Sequence, residues 1–286
     1  DYSSENYFNL DYDHKRKFIE LSVRDSFGKT RSKIFVLACS LENIEIDKSY
    51  LDEKLIHSDD SFFYRTDYRD KVFTLECANN ILDDSPLSLM KSMPKSLFQG
   101  YDHEYELQTV LLYINSLRYI SFLLDAYYIT TEDKYLNKAI EIFKDWRSKE
   151  QANTIKNRFL WYDHSVANRV LTLIYLYRLA FKHLSDELKE DIIITLLDHG
   201  NWLLDDNNYT FVGNHGVMQD RSLLQLGLFF KESKFQKRAE IRINKSFKRD
   251  FSLSGVHSEN STEYHSMMLK MYEEILKMME TSDGKD

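Results

Sequence analysis

A chain of 286 residues with 43% apolar side chains has enough hydrophobic material for a large core, and its net charge of −8 excludes a general nucleic-acid binder, which needs an excess of Lys and Arg on one face. Two prolines and eight glycines are too few for the many tight turns of a β-sandwich, so long helices with short connections are expected. No apolar run reaches membrane-spanning length and residues 1–20 are not signal-like, so the sequence itself names no compartment.

Residues 1–30 are polar and aromatic, with weak periodicity around Phe18, Ile19, Leu21 and Val23. The run Ile34-Phe35-Val36-Leu37-Ala38-Cys39 suits a strand or a buried helical turn, and the helical pattern downstream favours helix. Cys39 and Cys77 neither demand nor exclude an oxidising compartment, and no CxxC suggests structural zinc. Val72, Leu75, Ala78, Ile81 and Leu82 have helical spacing, ended by Asp83-Asp84-Ser85-Pro86. Residues 1–100 are therefore expected to form a mostly helical extension of the domain that occupies 101–286.

From Glu104 onward the helical signal is continuous. Leu107, Val110, Leu111, Ile114, Leu117, Ile120 and Leu124 predict one helix, and Tyr135, Ala139, Ile142, Phe143 and Trp146 its partner, capped by Thr131. The next helix, with Val170, Leu171, Leu173, Ile174, Leu176 and Leu179, is apolar nearly all round, as for an inner helix of a two-layer ring. Ser185 is placed to cap its return through Ile192, Leu196, Leu197 and Trp202. Asn214 stands where an N-cap belongs, before Val217, Leu223 and Leu224; the return spans Lys234 to Lys248. A last helix begins near Ser261, and the chain reaches Asp286 where its return is due.

His103, His164, His215 and His265 are separated by 61, 51 and 50 residues, and each gap fits one helix down and one back. Stacked αα-hairpins with this period bring every second helix start, with its His, to a common rim. That rim gathers Asn214, His residues, Tyr264 and positive helix ends, a combination suited to holding an anion while a proton moves beside it.

Asn214-His215-Gly216, followed by Gly255-Val256-His257-Ser258-Glu259 and by Tyr264-His265, resembles the heparinase II/III-like polysaccharide lyases, which include alginate, heparin and heparan lyases. The segment from Trp161 to Arg169, with Tyr162-Asp163-His164, looks like that family's upstream inner-helix segment. The resemblance implies an all-α, incomplete α/α toroid of antiparallel hairpins. In the family a β-sandwich domain with a further catalytic His follows the toroid; nothing strand-rich follows Tyr264, so that domain is expected to be absent from this chain. It also implies β-elimination on a uronic-acid polysaccharide, with Asn214 neutralising the carboxylate, Tyr264 as acid or acid/base and His215 as base or carboxylate ligand. His164, Arg169, His265, Glu259 and Trp161 are the implied substrate-binding residues. The implied partner is an anionic polysaccharide or oligosaccharide, with no cofactor, no metal, no nucleic acid and no membrane span, in a periplasmic or extracellular location.

The chemistry states the same needs. The proton at C5 of a uronate is very weakly acidic until its carboxylate is neutralised, so donors must face the oxygens where charge develops. A base is needed at C5 and an acid at the leaving oxygen, and a Tyr of ordinary pKa about 10 needs cations and a helix N-terminus nearby to serve. Two other classes fit the architecture: an α/α-toroid glycoside hydrolase with a carboxylate pair drawn from Asp163, Asp220, Glu259 and Glu263, and a non-catalytic carbohydrate-binding module. A metal site built from His103, His164 and His215 is a weaker third.

Overall fold

The computed structural model describes residues 8–13, 16–24, 30–37, 70–87, 95–252, 257–258 and 261–283. Glu259, expected to bind substrate, lies outside them, as do Cys39, Gly255 and Val256. The chain divides into two compact units, Asp1–Ile46 and Asp47–Asp286, so the boundary expected near residue 100 falls much earlier.

In the first unit, β1 (Phe8–Asp13), β2 (Arg16–Arg24) and β3 (Thr30–Leu37) form an antiparallel meander in that order. Asp13 pairs with Arg16 at the first turn and Lys17 with Leu37 across the second pair. Of the helix expected over Ile34–Cys39, the described residues Ile34–Leu37 are instead the end of β3. β-Branched Thr30, Ile34 and Val36 favour extended backbone, and the helical pattern downstream belongs to the other unit.

The second unit is helical: α1 (Lys71–Leu82), α2 (Gln108–Asn115), α3 (Arg118–Thr130), α4 (Asp133–Gln151), α5 (Asp163–Ala180), α6 (Asp186–Leu204), α7 (Asn214–Phe230), α8 (Ser233–Asp250) and α9 (Thr262–Asp283). Successive antiparallel hairpins build an incomplete α/α toroid. The all-round apolar helices lie inside: α5 is buried on nearly every face, and α7 is buried at every residue from Gly216 to Phe230. Outer helices bury one stripe, as α4 does with Tyr135, Leu136, Ala139, Phe143 and Trp146. Among the described residues no helix is long and apolar enough to cross a membrane.

Inner helices start at one end. Asp163 and Ala167 of α5 bond to His215 and Ser222 of α7 in the same sequential order, which makes the two helices parallel. Ser165 and Arg169 likewise reach Leu112 and Asn115 of α2 in order. At the end of α8, Phe251 packs on His265 while Phe247, further back, packs on Tyr272, so α9 runs against α8 and with α7.

Three local expectations change. The helix expected from Leu107 to Leu124 is broken into α2 and α3 at Leu117, which takes φ 54°. Ser116 stabilises the break by donating to the Tyr113 carbonyl at 2.7 Å and accepting from the Arg118 N–H at 3.3 Å, and Leu117 is wholly buried. Thr131, expected to cap α4, instead closes α3 at φ 60°. Gly213 rather than Asn214 is the N-cap of α7, because the entry needs φ 77°, which glycine adopts without a Cβ clash. Ser185 caps α6 as expected, accepting from the Leu188 N–H at 3.3 Å.

Candidate active site

Asp163 opens α5 and His215 sits in the first turn of α7, so the parallel packing of the two helices sets carboxylate beside imidazole. His215 Nδ1 lies 3.1 Å from both oxygens of Asp163. The same carboxylate accepts from the Thr210 hydroxyl at 2.5 Å and from the His164 N–H at 2.5 Å. Burial alone would raise the Asp163 carboxyl, but the hydrogen bonds from His215 and Thr210 outweigh it and hold the group below the usual carboxylate range. An ionised Asp163 fixes the proton of His215 on Nδ1 and leaves Nε2 for proton exchange.

The two rim imidazoles are driven apart. Their rings meet edge to face with centroids 5.0 Å apart. The hydrogen bond to Asp163 raises the pKa of His215 against the cost of burial. Burial, with repulsion from His215, pushes His164 down to about 4. The two rings are thus shifted in opposite directions, the asymmetry that general acid–base chemistry uses. Gly216 makes the arrangement possible, because a Cβ there would stand 2.3 Å from the Thr210 carbonyl oxygen and push away the loop that carries Thr210.

The family model described as Heparinase II/III N-terminus matches residues 45–286, which takes in every residue of this site. The chain belongs to the heparinase II/III family. Its fold is similar to the crystal structure of heparan sulfate lyase HepC from Pedobacter heparinus, with TM-score 0.65 and 18% identity over 82% of this chain and 39% of that one. A mutant of the same lyase gives TM-score 0.64 at 18% identity over the same shares. A heparinase III with methylated lysines gives TM-score 0.62 at 16% identity, covering 82% of this chain and 40% of that one. The chain thus spans about two fifths of the length of these solved structures. No curated protein sequence matches it.

Within this heparinase II/III fold, Asn214 is the first residue of α7, half-buried beside His215, and its side chain has no hydrogen-bond partner among the described residues. Tyr264 lies in the first turn of α9, 44% exposed, with the Ser261 hydroxyl 3.5 Å from its N–H. Asn214 and Tyr264 thus stand at the same end of the toroid, although no hydrogen bond or ring contact among the described residues joins Tyr264 to the His pair. His265 packs on Phe251 and His103 on Tyr105, so neither joins His164 and His215. Among the described residues no group of three or more His, Cys, Asp or Glu is arranged to hold a metal.

Arg169 and Trp161, expected to bind substrate, are engaged inward. Arg169 is completely buried and donates to the carbonyls of Asn115 and Leu160 and to His199 Nε2. His199 accepts there because its Nδ1 donates to the Thr195 carbonyl at 2.7 Å. The guanidinium lies 5.2 Å from the Trp146 ring and 5.8 Å from that of Trp161, which itself packs on His199 and Trp202. Asp220, one of the carboxylates considered for hydrolysis, is fully buried under the Tyr209 hydroxyl.

Two contributors had no legible signal. Thr210 is an ordinary loop residue in the sequence, and only the fold brings its hydroxyl to Asp163. Arg118 starts α3 because of the break at Leu117, and its charge opposes protonation of His164.

Proposed function

We propose that this chain carries the catalytic rim of a polysaccharide lyase that cleaves an anionic, uronate-containing polysaccharide by β-elimination. The observation that carries the reading is the Asp163–His215–Thr210 constellation at the start of two parallel inner helices, with Asn214 next to it in a member of the heparinase II/III family. Asn214 and the positive ends of α5 and α7 neutralise the uronate carboxylate, which acidifies C5. His215, oriented by Asp163, assists as base or carboxylate ligand. Tyr264 serves as acid or acid/base: the C5–H bond breaks, its electron pair forms the C4–C5 double bond, the C4–O bond breaks, and the leaving oxygen takes a proton. The anionic substrate class is supported by similarity to a heparan sulfate lyase.

The test is to incubate the full chain with heparan sulfate, heparin and alginate while following both ultraviolet absorbance of the conjugated uronate product and release of reducing ends. Absorbance rising with reducing ends is the expected result. Reducing ends without absorbance would assign a hydrolase, and neither signal would contradict catalysis by this chain.

A further inference from the structure

We propose that the basic pocket between α8 and the loop preceding α7 is a second anion site, which takes the sulfate or carboxylate of a sugar unit outside the catalytic rim. The oxyanion part of this inference rests on the pocket alone; the sugar part rests on the lyase reading above.

The pocket has a volume of about 290 Å³, at the small end of the roughly 300–1,000 Å³ usual for ligand sites, so it suits one sugar-sized unit. Arg238, Arg242, Lys245 and Arg249 line it from one stripe of α8, and Tyr209 and Phe211 line it from the loop. Asp206 pairs with Arg238 and Arg242, and Asp250 holds Arg249 through two contacts of 2.6 and 2.8 Å. Lys245 has no ion-pair partner among the described residues. Four cations face Asp206, Asp250 and, 3.7 Å from Arg242, Asp220, which leaves the pocket positive in a chain of net charge −8.

Arg242 shows that the site is built rather than a scatter of surface charge. It is 5% exposed, lies 4.2 Å over the Tyr209 ring, donates to the Leu203 carbonyl at 2.8 Å, and keeps a buried Nε without a hydrogen bond. The carboxyl of Asp220 beneath it is pushed up to about 8 by burial, so at neutral pH it subtracts little from this charge. Phe211, 64% exposed and edge to face with Tyr209 at 5.1 Å, offers an apolar face beside the cations. A charged sugar needs both, because its ring packs its C–H groups on an aromatic while its anionic substituent meets Lys and Arg.

The loop serves both sites by alternation. Tyr209 and Phe211 line the pocket, while Thr210 between them holds Asp163 of the catalytic rim. A ligand in the pocket therefore rests on the loop that orients His215.

Titration calorimetry on the full chain separates the sources of the anion, with inorganic sulfate, a heparin-derived tetrasaccharide and its desulfated, carboxyl-reduced counterpart as probes. The variant Asn214→Ala, which removes the donor assigned to the uronate carboxylate, serves as background, so that binding at the catalytic rim is weakened. On it the tetrasaccharide is expected to bind and sulfate to compete, while the neutral counterpart does not bind. Adding Lys245→Glu, at an exposed position that leaves the core intact, should weaken tetrasaccharide binding about tenfold or more, and Phe211→Ala should weaken the tetrasaccharide but not sulfate. Unchanged affinity in Lys245→Glu, or no binding to this background, would overturn the pocket. Binding of sulfate alone would overturn the sugar assignment. Turnover by the wild-type chain is read separately, so failure of the lyase reading is distinguishable from failure of the pocket.

Discussion

Asp163 and Arg169 stand within two turns of each other on α5, and the sequence pattern sends both to the same rim, yet the structure gives them opposite environments. Asp163 lies at the helix start, where its carboxylate faces groups that change protonation. Arg169 lies deeper, fully buried, with carbonyls and a neutral imidazole as partners and tryptophans around its guanidinium. Along α5, two turns move a side chain from the helix start beside the rim histidines into the core. On α5 the charged residue that meets the rim histidines is the one in the first turn.

The largest effect that tests this contrast is on stability. Arg169→Ala leaves the Asn115 and Leu160 carbonyls and His199 without their donor in a dry interior, so unfolding free energy should fall by about 3 kcal/mol or more. Urea denaturation checks it, and an unaltered midpoint would return Arg169 to the list of binding residues.

Gly216→Ala comes next, because its Cβ would strike the Thr210 carbonyl. Overpacking of this kind costs about 1–3 kcal/mol, and here it should also loosen Thr210 from Asp163. The variant should lose stability by denaturation and lose turnover beyond what the remaining folded fraction explains.

The smallest effect is a pair of titrations read by NMR. His215 should titrate above the ordinary histidine value of 6.5 and His164 near 4, and Asp163→Asn should lower the His215 value. The raised His215 contributes stability that is fully present below 6.5 and fades as pH rises through its folded value. The depressed His164 acts oppositely: the unfolded chain protonates first, so stability falls as pH drops from 6.5 toward 4. Asp163 adds to that loss below its ordinary 3.8, as pH falls through its depressed folded value. Coincident titrations of the two rings would contradict the asymmetry.

Much of this was legible in the sequence where a pattern repeats. The all-round apolarity of Val170 to Leu179 places α5 inside, and the histidine period places His164 and His215 at a shared end. The break at Leu117 was not legible, because a buried leucine with φ 54° looks like any other position of an apolar helix. Nor was Thr210, whose role depends on a long-range contact, nor the depth of Arg169, since its partners are carbonyls that carry no residue identity. The extended backbone of Ile34–Leu37 is not legible either, because a short apolar run has no decisive period.

The measurement that bears most directly on the proposed chemistry is turnover of Tyr264→Phe on heparan sulfate, in the full chain, beside its affinity for the same polymer. If the phenol moves protons, turnover falls by a factor on the order of 10² or more while fold and affinity stay near wild type, because Tyr264 is 44% exposed and takes no part in the core. Near-normal turnover would contradict the acid–base role of Tyr264, and equal loss of affinity and turnover would make it a binding residue instead.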